Sequence, residues 1–169
     1  MNLPSTHNRW MVLLSLPLFM LMLSCTPKIS PETKTSPATA PESPSTVVKD
    51  IFRYVNEHRQ SLGLPPLKMN EEANRQAFLH SKNMATGKTS FGHEGFEQRV
   101  ASIQKTSGWI TASAENVAYG KLSANEVVKG WLNSPGHKKN IEGNYQFSGI
   151  GIYRDSKGVT FFTQIFFRN

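Results

Sequence analysis

The segment FSGIGIYRDSKGVTFFTQIFF, residues 147–167, decides the fold class of this chain. Its two halves, residues 147–153 and 159–167, are rich in Phe, Ile, Val, Tyr and Thr, and the turn-forming run Asp155-Ser-Lys-Gly158 separates them. Two such runs joined by a short turn that contains glycine are typical of a β-hairpin. We therefore expect the chain to end in two antiparallel strands.

Helical patterns dominate the residues that precede this hairpin. Apolar side chains recur at helical spacing between Thr46 and Leu62, and Asn70 is placed to cap a second helix whose first turn carries two glutamates. The run Ser123-Ala-Asn-Glu126 is a capping box that opens a further helix. Residues 109–118 indicate a strand or an extended loop. Helices that come first and an antiparallel hairpin that comes last predict an α+β fold, with the helices packed on a sheet.

The N-terminal residues have the pattern of a leader. Residues 10–23 are almost wholly apolar, but the run is too short to cross a bilayer and fits the apolar region of a secretory signal. It ends in Leu21-Met-Leu-Ser-Cys25, which resembles the lipobox of bacterial lipoproteins and contains the only cysteine of the chain. We therefore predict a lipoprotein signal peptide over residues 1–24 and lipidation of Cys25. An ordinary cleaved signal that leaves a free thiol is the alternative.

A polar segment follows over residues 25–46, made of Pro, Ser, Thr, Ala and Lys with almost no apolar side chains. Such a composition cannot bury enough surface to offset the entropy of ordering, so we expect a disordered tether. One domain over residues 47–169 remains. A lipidated tether predicts an extracytoplasmic, membrane-anchored protein of the cell envelope, whose first partner is the membrane through Cys25.

The formal net charge of +7 comes from scattered basic residues, and the longest basic run in the predicted domain is Lys138-Lys139. Nucleic-acid binders usually gather their positive charge on one element and interleave it with aromatic residues. The sequence therefore predicts no nucleic-acid partner. The excess charge favours solubility, or a weak attraction to anionic lipid or cell-wall surfaces.

Four histidines lie in the predicted domain. His58 is in a polar stretch and is expected to face solvent, whereas His80 falls on the apolar face of its helix and is expected to be a hydrogen-bonded core residue. His93 and His137 each adjoin a glycine at the edge of an element, where a side chain can project into a cleft, and Glu115 would be costly to bury unpaired. These last three residues are compatible with a divalent metal such as zinc, with an acid–base cluster, or with mutual structural bracing.

Seven motifs in order resemble the CAP superfamily, which comprises the cysteine-rich secretory proteins, antigen 5 and pathogenesis-related 1. They are most similar to its cysteine-free, YkwD-like bacterial branch, and they run from about Val47 to Phe167. The motifs are Val55-Asn-Glu-His-Arg59, Gly63-Leu-Pro-Pro-Leu67, His80-Ser-Lys-Asn-Met-Ala85, Gly92-His-Glu-Gly-Phe96, Glu115-Asn-Val-Ala118, Trp131-Leu-Asn-Ser-Pro-Gly-His137-Lys-Lys-Asn-Ile141, and the pair Gly149-Ile-Gly151 and Phe162-Thr-Gln-Ile-Phe166.

The resemblance implies the CAP (SCP) fold, a three-layer α-β-α sandwich. It also implies a cleft, because many members carry a tetrad of two histidines and two glutamates that binds zinc in some of them. His93 and His137 match the two histidines, and Glu115 matches the first glutamate. Ser134 stands where the second glutamate falls in the family, so two imidazoles and one carboxylate would make a weaker Zn²⁺ site.

Three functions are compatible with these residues. The leading hypothesis is a non-catalytic module that binds a lipid or cell-envelope ligand through the cleft around His93, Glu115 and His137. The first alternative is a hydrolase that uses the same cleft with a metal, or with Ser134 as its nucleophile, although the chain has no Gly-x-Ser-x-Gly motif. The second is an envelope protein in which these residues only stabilise the fold.

Overall fold

The computed structural model describes residues 44–169. The predicted signal peptide, Cys25 and most of the predicted tether lie outside these residues. Helix α1 begins at Pro44, so residues 44–46 belong to the helix rather than to the predicted tether. Within residues 44–169, no helix has the length and the apolar character that crossing a membrane requires. The elements in chain order are α1 (Pro44–Ser61), β1 (Lys68–Met69), α2 (Glu71–Ala85), α3 (Phe96–Ser107), β2 (Ala112–Gly120), α4 (Ala124–Leu132), α5 (Pro135–Ile141), β3 (Phe147–Arg154) and β4 (Thr160–Arg168).

The predicted hairpin is present as β3 and β4. These strands form the centre of a sheet with the order β1-β3-β4-β2, in which β1 runs parallel to β3 and the other neighbours are antiparallel. The hairpin turn is held by Asp155, whose Oδ1 accepts hydrogen bonds from the amides of Lys157 and Val159 at 2.9 and 2.8 Å. Strand β2 lies at an edge of this sheet, and it is the strand indicated by residues 109–118.

Helices cover both faces of the sheet. Helices α2 and α3 pack on one face, where Ala73, Ala77 and Ile103 meet Ile165 and Phe167. Helices α1, α4 and α5 pack on the other face around a larger apolar core, whose members include Ile51, Val55, Trp131, Ile150, Phe162 and Phe166. The arrangement confirms the α+β class and the three-layer α-β-α sandwich.

Two glycines let α2 lie very close to β3. Gly149 and Gly151 face this helix, and a Cβ atom built on either of them would overlap backbone atoms of Ala73 or Phe78. Close packing of this kind tolerates little displacement. The position of His80 on α2, and of the loop that follows the helix, is therefore fixed relative to the sheet.

Candidate functional site

The candidate site forms around Glu115 and Asn116, two adjacent buried residues of the edge strand β2. Successive side chains of a strand point to opposite faces of the sheet. Glu115 therefore faces the layer of α2 and α3, and Asn116 faces the layer of α4 and α5. Each residue is hydrogen-bonded within its own layer, so the two layers are joined at this strand.

Arg99 on α3 holds the Glu115 carboxylate with two hydrogen bonds. Its guanidinium donates from Nε to Oε2 at 2.8 Å and from Nη2 to Oε1 at 2.7 Å, and His93 donates from Nδ1 to the same Oε1 at 2.9 Å. A bidentate ion pair between a guanidinium and a carboxylate is among the stronger hydrogen-bonded arrangements in proteins. The Glu115 side chain is 1% exposed and that of His93 is 52% exposed. The carboxylate is therefore the buried part of the site, and the imidazole is the part that solvent and ligands can reach.

The loop that carries His93 is held from two sides. His80 on α2 donates from Nε2 to the carbonyl of Gly92 at 2.8 Å, and Arg99 donates from Nη1 to the carbonyl of Glu94 at 2.8 Å. Gly92 has a backbone φ of +147°, which residues other than glycine rarely adopt. Burial lowers the pKa of His80 below its ordinary value, which favours the neutral imidazole. His80 is the hydrogen-bonded core residue that the sequence predicts.

Helix α5 brings His137 to the site from the opposite layer. Asn116 donates from Nδ2 to the carbonyl of His137 at 3.2 Å, and Asn140 donates to Asn116 Oδ1 at 2.9 Å and to the carbonyl of Glu115 at 3.3 Å. Burial lowers the pKa of the half-buried His137, and its electrostatic interaction with His93 lowers it further. The two imidazoles are thus close enough to interact electrostatically, and both effects favour the neutral form of His137.

Ser134 immediately precedes α5, and its carbonyl accepts a hydrogen bond from the amide of Lys138 at 2.8 Å. Its hydroxyl makes no capping bond and no other hydrogen bond to the part of the chain that the structure describes. A serine nucleophile needs a base within hydrogen-bonding reach. The structure shows no such pairing between Ser134 and His137.

The C-terminal end of α5 is fixed by the last turn of α1. Arg59 is buried and donates from Nη1 to the carbonyls of Ile141 and Gly143 at 2.7 and 2.8 Å. His58 Nε2 lies 2.9 Å from Glu142 Oε1, and its side chain is only 22% exposed. The prediction that His58 simply faces solvent is therefore wrong, because Glu142, which directly follows α5, pairs with it. Both contacts hold α5 in place.

The contacts of His93, Glu115 and His137 do not fit a zinc site. Both Glu115 oxygens accept hydrogen bonds from Arg99, and the positive charge of the guanidinium opposes a divalent cation at the carboxylate. Within residues 44–169, no three His, Cys, Asp or Glu side chains are arranged to share a metal ion. Glu115 serves as the partner of Arg99 in this geometry, and a titration tests the zinc binding that the sequence leads one to expect.

Comparisons with known proteins identify the family. Residues 52–166 match the family model CAP, the cysteine-rich secretory protein family. The chain belongs to the CAP family. Two relatives from Bacillus subtilis are similar to it: the uncharacterized protein YkwD, 34% identical over 128 residues (75% of this chain, 49% of YkwD), and the uncharacterized membrane protein YlbC, 29% identical over 113 residues (65% of this chain, 32% of YlbC). The chain spans about half the length of YkwD and about a third of YlbC, and the bacterial branch indicated by its motifs is confirmed.

Two solved structures are similar to this fold. An extracellular protein containing an SCP domain from Bacillus anthracis is similar at a TM-score of 0.62 and 27% identity, and the match covers 78% of this chain and 45% of that chain. An outer surface protein from Borrelia burgdorferi gives a TM-score of 0.61 at 23% identity, which is a likeness of fold alone, over 76% of this chain and 96% of that chain.

Arg99 is the residue of this CAP site that the sequence analysis does not identify. A signal for it was present, since Arg99 lies three residues after Phe96 and four before Ile103, on the apolar side of α3. A charge at such a position is costly unless it is paired. The pattern therefore indicated a buried ion pair, although it could not name Glu115 as the partner.

Proposed function

We propose that this CAP domain is a non-catalytic binding module of the cell envelope, with a ligand cleft between His93 and His137 above the Glu115 carboxylate. The observation that supports the proposal is the full engagement of Glu115 by Arg99 and His93. A carboxylate committed to a guanidinium is a poor general base and a poor nucleophile. It is well suited to fix the orientation of the imidazole that contacts the ligand.

The groups at the rim are those of a polar recognition site. His93 uses Nδ1 to bond Glu115, which leaves Nε2 free to meet a ligand. The neutral imidazole of His137 and the hydroxyl of Ser134 can each donate or accept a hydrogen bond. Because Arg99 neutralises the charge of Glu115, the cleft does not repel an anionic or carbonyl-bearing ligand.

An extracytoplasmic location and an anchor at Cys25 belong to the same proposal. The lipobox-like run before Cys25 supports lipidation, and the similar proteins named above as extracellular or outer-surface support an extracytoplasmic location. Mass spectrometry of the mature protein tests the anchor. We expect a chain that begins at an acylated Cys25, and a free thiol on that cysteine would contradict the proposal.

A binding experiment tests the cleft directly. The described residues 44–169 lie within one compact unit, so a fragment of residues 39–169 is suitable. We would titrate the ¹⁵N-labelled fragment with soluble disaccharide-peptide fragments of bacterial cell wall and follow its amide resonances. We expect changes confined to the loop of His93 and to α5, lost in His93→Ala and retained in His58→Ala, the control histidine outside the cleft. An absence of such changes would count against these wall fragments and against the cleft.

A hydrolysis assay on the same fragment separates binding from catalysis. We expect no turnover of peptide or ester substrates, because Ser134 has no paired base and Glu115 is held by Arg99. Turnover that His137→Ala or Ser134→Ala abolishes would replace the binding proposal with a hydrolase.

A further inference from the structure

Aromatic side chains lie together at one end of the sheet, where β2 ends and β4 begins. The rings of Phe91 and Tyr119 meet edge to face with their centroids 4.8 Å apart, and Tyr119 stacks on Phe161 at 5.7 Å. These rings belong to neither apolar core, and Phe91 is 49% and Tyr119 58% exposed. A contiguous exposed apolar patch marks an interaction surface. We call this group of three rings the aromatic end of the sheet.

The row of rings continues across the hairpin towards α2. Tyr153 is the register partner of Phe161, and the ring of Phe78 on α2 lies 6.1 Å from that of Tyr153. Phe78 is also exposed, at 43%. The apolar surface therefore extends from β2 to α2 and comprises several neighbouring rings rather than one isolated exposed side chain.

Exposed lysines lie in the chain segments that carry the aromatic end. Its three chain segments are residues 88–91, 119–122 and 153–161, and their only carboxylate is Asp155, which already accepts two hydrogen bonds within its own turn. The same segments contribute three exposed lysines, Lys88, Lys121 and Lys157, whereas Arg154 alternates with Tyr153 along β3 and bonds Thr160 on the opposite face of the sheet. The surface is therefore both apolar and cationic, and it is complementary to an anionic partner.

We propose that the aromatic end docks this domain onto an anionic membrane surface. Exposed rings beside lysines match the interface of a bilayer, where aromatic rings enter the headgroup region and lysines meet anionic headgroups. A soluble polyanion would use the lysines and leave the rings without a role. A sugar would need a free ring face, and Tyr119 already has ring neighbours in both Phe91 and Phe161.

This docking has a consequence for the proposed cleft. His93 follows Phe91 in the same loop, so contact through the aromatic end places the His93 imidazole close to the membrane surface. The contact needs no lipid on Cys25 and no ligand in the cleft. It is therefore independent of the proposed anchor and of the proposed function.

Vesicle co-sedimentation of residues 39–169 tests the docking. We would compare vesicles of phosphatidylcholine alone with vesicles of equal parts phosphatidylcholine and phosphatidylglycerol, at low and at physiological salt. We expect binding to the anionic vesicles only, weakened by salt. The double variants Phe91→Ser/Tyr119→Ser and Lys121→Glu/Lys157→Glu should each lower the partition coefficient roughly tenfold or more. Circular dichroism would confirm that each variant is folded.

Matched controls lie at the far end of β2. Trp109 is 74% exposed and precedes β2, whose first residue is about 25 Å from Tyr119 along the strand. Lys105 is an exposed cation in the last turn of α3, the helix that comes before Trp109 in the chain. Trp109→Ser and Lys105→Glu should leave vesicle binding unchanged. The proposal is overturned if the fragment does not co-sediment with anionic vesicles, or if the control substitutions weaken binding as much as the test variants do. It is also overturned if soluble polyphosphate binds equally well and the ring variants have no effect.

Discussion

Replacing Arg99 with methionine is the perturbation whose outcome the structure predicts in most detail. Arg99→Met keeps the apolar stem of the side chain and deletes the two hydrogen bonds to Glu115 and the one to the Glu94 carbonyl. It leaves a carboxylate that is 1% exposed without its counter-charge. Removing one partner of a buried ion pair costs about 3–5 kcal/mol. For a domain of this size, 1 kcal/mol corresponds to about 3–4 °C, so the melting temperature should fall by about 10–20 °C at neutral pH.

A double-mutant cycle shows whether the unpaired Glu115 carboxylate causes the loss of stability in Arg99→Met. Arg99→Met/Glu115→Gln removes the charge as well, so it should be more stable than Arg99→Met alone by at least about 1 kcal/mol. The matched control is Arg53→Met, which breaks an exposed ion pair with Glu57 and should leave the melting temperature almost unchanged. Thermal and urea unfolding of residues 39–169 provide the measurements. The ion-pair explanation is refuted if Arg99→Met has the same melting temperature as the wild type. It is also refuted if the losses in free energy of unfolding caused by Arg99→Met and by Glu115→Gln alone add up to the loss in the double variant.

Three further predictions concern the residues around the site and the sheet beneath it. Because burial holds the pKa of His80 below its ordinary 6.5, the unfolded chain takes up this proton first as the pH falls, so the free energy of unfolding should decrease below about pH 6.5. His80→Gln keeps an amide that can still donate to Gly92 but has no titrating ring. Urea unfolding at several pH values should show that its free energy of unfolding falls less steeply with decreasing pH than that of the wild type, and an equal pH dependence would contradict this. Gly151→Ala should lower the free energy of unfolding in urea by about 3 kcal/mol or more, because the new Cβ meets the α2 backbone. Gly130→Ala, on the solvent-facing side of α4, should raise it by about 0.5–1 kcal/mol, and equal effects of the two substitutions would show that the close approach of α2 to β3 is unimportant. Ser134→Ala should change the free energy of unfolding by less than about 0.5 kcal/mol, since its hydroxyl makes no hydrogen bond within residues 44–169, and a larger loss would reveal a structural role.

The features that the sequence predicts correctly are those that local rules determine. Asn70 accepts a hydrogen bond from the Ala73 amide at the start of α2, and Ser123 with Glu126 forms the predicted capping box of α4. The hairpin turn depends on the residues between its own strands. Each of these structures involves residues close together in the chain, so their spacing alone is informative.

The features that escape prediction depend on contacts between distant residues. Strand β1 has only two residues, Lys68 and Met69, and exists because Phe147 and Ser148 lie beside it in the folded sheet. The pairing of His58 with Glu142 likewise joins the first helix to the end of α5. Sequence patterns mark such residues as polar or extended, but they do not state which partner the fold will bring to them.

The role of Glu115 is the centre of this account, and a zinc titration tests it most directly. Isothermal titration calorimetry of zinc chloride into residues 39–169 at pH 7 would compare the wild type with Glu115→Gln and His93→Ala. If Glu115 is the buried partner of Arg99, the wild type and Glu115→Gln should give the same heats, with no one-to-one zinc binding that depends on this carboxylate. One-to-one zinc uptake by the wild type that is lost in both variants would contradict the account and assign Glu115 to a metal site.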